Sequence, residues 1–190
     1  VGSVTVTGIE KKKENKNAPL LYNLAELQND CSKYFKISPD ETLRIVQELY
    51  EKKMTTYPRT DARVLSTAVA KEIHKNIGGL RNYALAAPFA KEVLEQGNYK
   101  NIAKTRYVND KQITDHYAII PTGQGLNNLA GLAPTAAKVY EVIVRRFLSI
   151  FYPPAVYQKF SLTVKVKEES FFAGFKVLVQ EGYLKVTNFS

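Results

Sequence analysis

The chain has a single cysteine and no long apolar run, and each shortage excludes a class of protein. Cys31 has no partner for an intramolecular disulfide and no neighbouring ligand set for zinc, which fits a reducing, cytoplasmic location. No run reaches the roughly eighteen apolar residues of a membrane span, so no membrane partner is expected. The opening Val-Gly-Ser-Val has neither a starting Met nor a signal-peptide pattern, which suggests a piece of a longer protein.

Two further shortages concern cofactors. No two aspartates lie at spacing two, so the chain lacks an Asp-x-Asp cluster of the kind that holds Mg²⁺. It also lacks a glycine-rich, Lys-terminated phosphate loop, so ATP use is not indicated. We therefore expect no metal ligands within this chain.

Positive charge is present in excess. Lys and Arg number 27 against 18 Asp and Glu, which gives a net charge of +9 and a pI near 9.5. Such an excess attracts polyanions, and twelve tyrosines with nine phenylalanines offer faces on which bases can stack. Charge alone does not identify the partner. A basic surface that binds nothing would explain the excess of positive charge equally well.

The hydrophobic pattern predicts strands at both ends and helices between them. Val4 and Val6 alternate with polar residues as in a half-buried strand, whereas Lys11 to Asn17 reads as a solvated connection. After Pro153-Pro154 the alternation returns. It predicts strands over Phe160–Val166, around Phe175 to Val179, and over Tyr183–Val186.

Five helices are predicted in the middle of the chain. Ser38, Pro39 and Glu41 form a strong start signal for the second, and Gly97 ends the fourth. Residues 98–132 read mostly as loop. The predicted helices are Tyr22–Tyr34, one that follows Ser38, one from Ser66 to Gly78-Gly79, Phe89–Gln96, and Pro134–Phe151. The expected fold class is thus α+β, a helical insertion between strands of one β element.

Tyr57 stands between two predicted helices, in the segment Thr55-Thr56-Tyr57-Pro58-Arg59-Thr60-Asp61. A residue before proline is pushed into extended backbone, and Arg59 then points to the same side if the segment stays extended. A phenol is almost fully protonated near neutral pH, so it needs a nearby cation or base to act as a nucleophile. Arginine suits phosphate binding. A Tyr-Pro-Arg triplet by itself also fits a purely structural segment.

Two longer strings resemble a known family. Leu49-Tyr50-Glu51 with the Tyr57 segment resembles the active-site signature of type IA DNA topoisomerases, and proline after the tyrosine is typical of the topoisomerase III branch. Asp115-His116-Tyr117-Ala118-Ile119-Ile120-Pro121-Thr122 is similar to the family's second signature, and 116 − 57 = 59 residues separate the two.

A third string, Arg145-Arg146-Phe147 before Phe151-Tyr152-Pro153-Pro154, follows in the same order. The resemblance covers essentially the whole chain. One departure is Ala62, which stands where the family usually has Ser after Arg-Thr-Asp.

The resemblance implies roles for five residues. Tyr57 would attack the scissile phosphate and become joined to the 5′ end of the broken strand. Arg59 would hold that phosphate, and His116 would support the phosphate or Arg59 through a hydrogen bond. Asp61 and Thr60 would support these residues without a direct part in the reaction. Asp61 would do so by orienting Arg59 or by capping the next helix.

The resemblance also implies an architecture and a setting. Residues 17–154 would form a mainly helical, helix-turn-helix-like gate domain, inserted between antiparallel strands of an arch domain at 1–16 and 155–190. A separate acidic domain of the parent would hold Mg²⁺, so this chain alone is expected to be inactive. The expected substrate is single-stranded or underwound duplex DNA, cut without ATP by a monomeric cytoplasmic protein.

Two other functions fit parts of the sequence. A non-catalytic single-stranded DNA-binding module would explain the charge and the aromatic residues. A tyrosine recombinase would also use a phenol on DNA, but its His-x-x-Arg element is missing, since neither His74 nor His116 has Arg three residues later.

Overall fold

The computed structural model describes residues 4–187, which fall into two compact units. The described residues up to Ala18, together with Pro153–Lys185, form one unit and contain the strands. Pro19–Tyr152, joined by Val186 and Thr187, form the other, which contains the longer helices. The fold class is therefore α+β, as the hydrophobic pattern predicts.

Three antiparallel strands make up the sheet, in the order β1 (Val4–Lys16), β2 (Ala155–Val166) and β3 (Glu169–Gln180). The pairing of Lys16 with Ala155 brings together the two chain positions that flank the helical residues. The connection predicted at Lys11 to Asn17 is wrong as far as Lys16, because the lysine-rich run belongs to β1. Hydrogen bonds from β2 hold this run extended, and charged residues are common on the edge strand of a sheet.

The end of the sheet unit also differs from the prediction. Tyr183–Val186 is not a strand, because Leu184–Thr187 form a short helical turn, α7. Gly182 precedes it with φ +56°, and a Cβ at Gly182 would lie 2.4 Å from the Pro153 carbonyl oxygen. A tight turn that only glycine fits easily therefore replaces the expected extended chain. Residues 1–3 and 188–190 of the predicted 1–16 and 155–190 segments lie outside the described part of the chain.

Residues 19–152 of the helical unit contain six α-helices. They are α1 (Leu24–Phe35), α2 (Pro39–Glu51), α3 (Thr67–Lys71), α4 (Ile73–Gly79), α5 (Ala87–Gln96) and α6 (Pro134–Ser149). The Ser38 hydroxyl accepts a hydrogen bond from the Glu41 N–H, so the predicted cap of α2 is confirmed. The single helix predicted from Ser66 is wrong, because a break at Glu72 divides it into α3 and α4. Short 3-10 turns lie at Leu80–Asn82, Asn98–Lys104, Asp110–Gln112 and Leu126–Gly131.

An apolar core with one charged cluster joins α1, α2 and α6. The core contains fully buried large side chains from all three helices: Leu27, Ile45, Leu49, Tyr140 and Phe147. Beside it, the Arg146 guanidinium of α6 lies 3.1 Å from the Asp30 carboxylate of α1 and 4.1 Å from the centre of the Tyr22 ring.

The same arginine fixes the chain ahead of α1. Its Nη1 donates to the Leu20 carbonyl at 2.9 Å, and the Tyr22 hydroxyl donates to Asp30. Burial raises the pKa of Tyr22, so this phenol stays protonated and donates. The Tyr22 carbonyl in turn accepts from the Ile119 N–H at 2.8 Å, which anchors the second of the two strings. No helix in residues 4–187 is long and apolar enough to cross a membrane.

Candidate active site

A tight turn at the end of α2 leads the chain into the Tyr57 segment. The Lys53 N–H donates to the Tyr50 carbonyl and the Met54 N–H to the Leu49 carbonyl, each at 2.9 Å. This pair of bonds ends a helix through a residue in the left-handed conformation, which is usually glycine. Here Lys53 takes that conformation, with φ 63°. The chain then runs extended from Thr55.

Threonine hydroxyls align the two strings, which lie 59 residues apart. The Thr56 hydroxyl donates to the Ala118 carbonyl at 3.1 Å and accepts from the Ile120 N–H at 2.9 Å. The Thr60 hydroxyl donates to the His116 carbonyl at 3.4 Å. The Thr56 N–H also donates to the Ile120 carbonyl at 3.0 Å. The strings therefore run antiparallel. Tyr57 lies between Thr56 and Thr60, the two residues whose hydroxyls make these contacts.

A second set of contacts holds the turn before Tyr57. The Thr122 hydroxyl donates to the Lys53 carbonyl at 2.6 Å, and the Thr122 N–H donates to the Met54 carbonyl at 3.0 Å. Gly125, at φ +73°, packs against the same turn, and a Cβ there would lie 2.6 Å from the Lys52 carbonyl oxygen. The backbone around Lys53 is therefore clamped from the side of the second string.

The Tyr57 ring lies between two other rings. Its centre is 4.5 Å from that of His116, with the planes tilted by 36°, and 5.3 Å from that of Tyr50, which meets it edge-on at 81°. Tyr57 is half-buried, and its hydroxyl has no hydrogen-bond partner in residues 4–187. Both spacings suit favourable aromatic packing. The ring is held while its hydroxyl remains available.

A pocket of about 920 Å³ opens beside these rings. Its walls come from the end of α2, the Tyr57 segment and the second string. The lining residues include Tyr50, Lys53, Tyr57, His116, Tyr117 and Gln124. The structure thus brings Tyr57 and His116, two of the predicted catalytic residues, to one cavity.

Arg59 and Asp61 are placed differently. The extended backbone predicted by the proline ends at Pro58, where the Thr60 N–H donates to the Pro58 carbonyl at 2.9 Å. Arg59 follows this bend. It is exposed, does not line the pocket, and makes no ion pair with Asp61 in the described part of the chain. Asp61 is exposed and caps no helix, since Ser66 caps α3.

Thr60 has a clear structural place. It is 6% exposed, and its hydroxyl accepts from the Ala62 N–H at 3.1 Å while it donates to His116. Ala62, the departure from the family pattern, is buried beside it. Thr60 thus connects the backbone of the Tyr57 segment to that of His116.

The site offers no metal centre of its own. In residues 4–187, no group of three or more His, Cys, Asp or Glu side chains comes close enough to hold a metal ion. Asp61 and Asp115 are exposed near the two strings but form no such group. The described residues therefore supply no cluster of three or more ligands for Mg²⁺.

The sequence motifs predict no role for several residues that lie in the site. Tyr50 and Thr56 stand in the first string, yet their contacts depend on how that string pairs with the second. Lys53 and Thr122 are likewise placed by this pairing. The local signal for Lys53 was the end of α2, where a residue of positive φ is common.

Comparisons with known proteins agree with the two strings. A family model described as DNA topoisomerase matches residues 1–190. DNA topoisomerase 3 of Bacillus cereus is 37% identical over 187 residues, which are 97% of this chain and 25% of that protein. DNA topoisomerase 3 of Bacillus subtilis (strain 168) is 35% identical over 182 residues, 95% of this chain and 24% of that protein.

The fold is shared with a solved structure of a longer protein. Full-length topoisomerase I from Thermotoga maritima matches with a TM-score of 0.69 and 21% sequence identity, over 100% of this chain and 30% of that one. The chain spans about a quarter of the length of the two Bacillus relatives. It belongs to the DNA topoisomerase family, whose model matches it from end to end.

Proposed function

We propose that Tyr57 is the nucleophile with which the parent topoisomerase cuts one DNA strand. The observation that carries this proposal is the Tyr57 ring, held between Tyr50 and His116 at the wall of an open pocket. Its hydroxyl has no competing hydrogen bond within residues 4–187. A reacting phosphate therefore displaces no protein partner when it meets the phenol.

The reaction is a transesterification that conserves the number of phosphodiester bonds. The phenol oxygen bonds to the phosphorus and gives up its proton, while the bond from phosphorus to the 3′ oxygen breaks. That oxygen takes a proton and leaves as a 3′ hydroxyl, and the 5′ phosphate stays on Tyr57. After another strand has passed through the gap, the 3′ hydroxyl attacks the phosphotyrosine and restores the strand. Because the bond is exchanged rather than hydrolysed, ATP is not required.

His116 and Arg59 have different parts in this proposal. The His116 ring is already against the nucleophile and has a nitrogen to offer the phosphate or the leaving proton. Arg59 lies on an exposed bend without a partner in the described residues, so its guanidinium is available to a bound phosphate. We assign no step to Mg²⁺ here, and we propose that its ligands lie in another part of the parent.

The proposed substrate is single-stranded or underwound duplex DNA, and we propose that the parent acts as a cytoplasmic monomer. The net charge of +9 supports a polyanionic substrate. A non-catalytic DNA-binding module is not favoured, because the family match covers the whole chain.

The test is to replace Tyr57 by Phe in the full-length parent. We expect the variant to relax no negatively supercoiled DNA and to form no covalent adduct with labelled single-stranded DNA after denaturation. Tyr34→Phe is the matched control, because Tyr34 is half exposed on α1 and does not line the pocket. An adduct formed by Tyr57→Phe at the wild-type level would refute the assignment. Absence of an adduct from the wild-type parent would support the binding module instead.

A further inference from the structure

Lys53 lies on the pocket wall four residues before Tyr57. We propose that its ammonium binds a DNA backbone phosphate next to the one that Tyr57 attacks. This inference rests on the proposed function, since it names a second contact that the same substrate makes in the same pocket. Three observations carry it: the backbone conformation of Lys53, the contacts that hold this backbone, and the charges around its side chain.

The conformation of Lys53 is one that lysine adopts at a disadvantage. Its φ is 63°, in the left-handed region where a Cβ crowds the following carbonyl and glycine is free of strain. Lys36, at φ 57°, takes the same left-handed conformation at the end of α1 but does not line the pocket. Strain alone therefore does not mark a functional residue. Lys53 differs from Lys36 because it lines the same pocket as Tyr57.

Two hydrogen bonds fix the backbone at Lys52 and Lys53. The Lys53 carbonyl accepts from the Thr122 hydroxyl at 2.6 Å, and the Lys52 carbonyl accepts from Asn128 Nδ2 at 3.2 Å. Both donors come from the chain that continues the second string. The stem of Lys53 therefore starts from a rigid point on the pocket wall, which reduces the conformational freedom lost when a ligand binds.

The ammonium of Lys53 is available to an anionic ligand. The Lys53 side chain is exposed and forms no ion pair within the described residues. Glu51, the carboxylate on the same wall, accepts a hydrogen bond from Gln47 Nε2 at 3.3 Å. An exposed ammonium without a carboxylate partner attracts phosphate as a point charge, and a single strand carries such phosphates on both sides of the cleaved bond.

The experiment measures the binding of a fluorescent single-stranded oligonucleotide to the full-length parent across a range of KCl concentrations. All proteins carry Tyr57→Phe, so no covalent product forms. Lys53→Gly removes the ammonium and also relieves the backbone. Lys36→Gly gives the same relief away from the pocket and loses the same charge, which makes it the matched control. Lys53→Arg keeps the charge.

We expect Lys53→Gly to raise Kd about three- to tenfold at low salt and to reduce the slope of log Kd against log salt by about 0.7, the value for one phosphate contact on a single strand. Lys36→Gly should leave Kd and slope unchanged, and Lys53→Arg should retain both. Neither glycine variant should have a lower Tm than the Tyr57→Phe protein, so a higher Kd would not be the result of unfolding.

Two results would overturn the inference. One is an unchanged Kd and salt slope for Lys53→Gly, and the other is an equal loss of affinity in Lys36→Gly. Neither result touches the assignment of Tyr57, which fails only on the covalent-adduct assay of Tyr57→Phe. The two proposals can therefore fail separately.

Discussion

Thr55 and Thr56 are adjacent threonines whose hydroxyls have opposite surroundings, and replacing each by valine tests the pairing of the two strings. The Thr56 hydroxyl bridges the Ala118 carbonyl and the Ile120 N–H. The Thr55 hydroxyl is buried and has no hydrogen-bond partner in the described part of the chain. Valine keeps the branched shape in both cases, so each change removes only the hydrogen-bonding group.

The expected effects have opposite signs. Thr56→Val leaves a carbonyl and an N–H without their partner, on residues that are both 0% exposed. An unsatisfied buried group costs about 1–3 kcal/mol, so two such groups with some relaxation should lower the free energy of unfolding by roughly 2–4 kcal/mol. Thr55→Val removes a hydroxyl that is already unsatisfied, so we expect no loss and a gain of up to about 1 kcal/mol.

The measurement is urea unfolding followed by far-UV circular dichroism, since the chain contains no tryptophan. The longer helices lie in the unit that holds the two strings, so the helical signal reports the relevant unit. The slope of free energy against urea should be the same in both variants. Equal losses in the two variants, or no loss in Thr56→Val, would mean that hydroxyl bridging does not hold the strings together.

Two further predictions concern the folded state. Arg146→Leu should lower the free energy of unfolding by about 3 kcal/mol, because Asp30 is left largely buried without its cation. The measurement is urea unfolding, in which the control Arg44→Leu, at an exposed position, should show no change in midpoint. Equal shifts in the two variants would contradict this prediction. Burial raises the pKa of the Cys31 thiol to about 11 from an ordinary value of 9, so ionisation of the unfolded thiol destabilises the fold as pH rises through this window. The free energy of unfolding of the wild type relative to Cys31→Ala should fall by roughly 2 kcal/mol between pH 8.5 and 11, and a constant difference would contradict it.

The helix starts and ends were the most predictable features of the fold. Ser38 and Pro39 start α2 and Gly97 ends α5, because a cap satisfies backbone groups within a few residues of itself. The break at Glu72 was not predictable in this way. Val69, Ile73 and Ile77 keep a spacing of four across it, so the apolar pattern is the same with or without the break.

The strand predictions failed where the partner decides the structure. Lys11 to Lys16 has little intrinsic preference for a strand, yet it pairs with β2 along its whole length. Tyr183 to Val186 alternates like a strand, yet Leu184–Thr187 form a helical turn. Backbone hydrogen bonds between strands join residues far apart in sequence, so local composition does not reveal them.

The sequence by itself determined the family and the candidate nucleophile. Tyr57 before Pro58, with the second string 59 residues later, needs no coordinates to be recognised, because these are properties of residue type and order. Only the tertiary structure decided what surrounds the phenol. Thr56 and Thr60 bridge the two strings and bring His116 to the Tyr57 ring, and Thr122 fixes the turn at Lys53. These contacts join side chains to distant backbone groups, and their geometry exists only once the chain has folded.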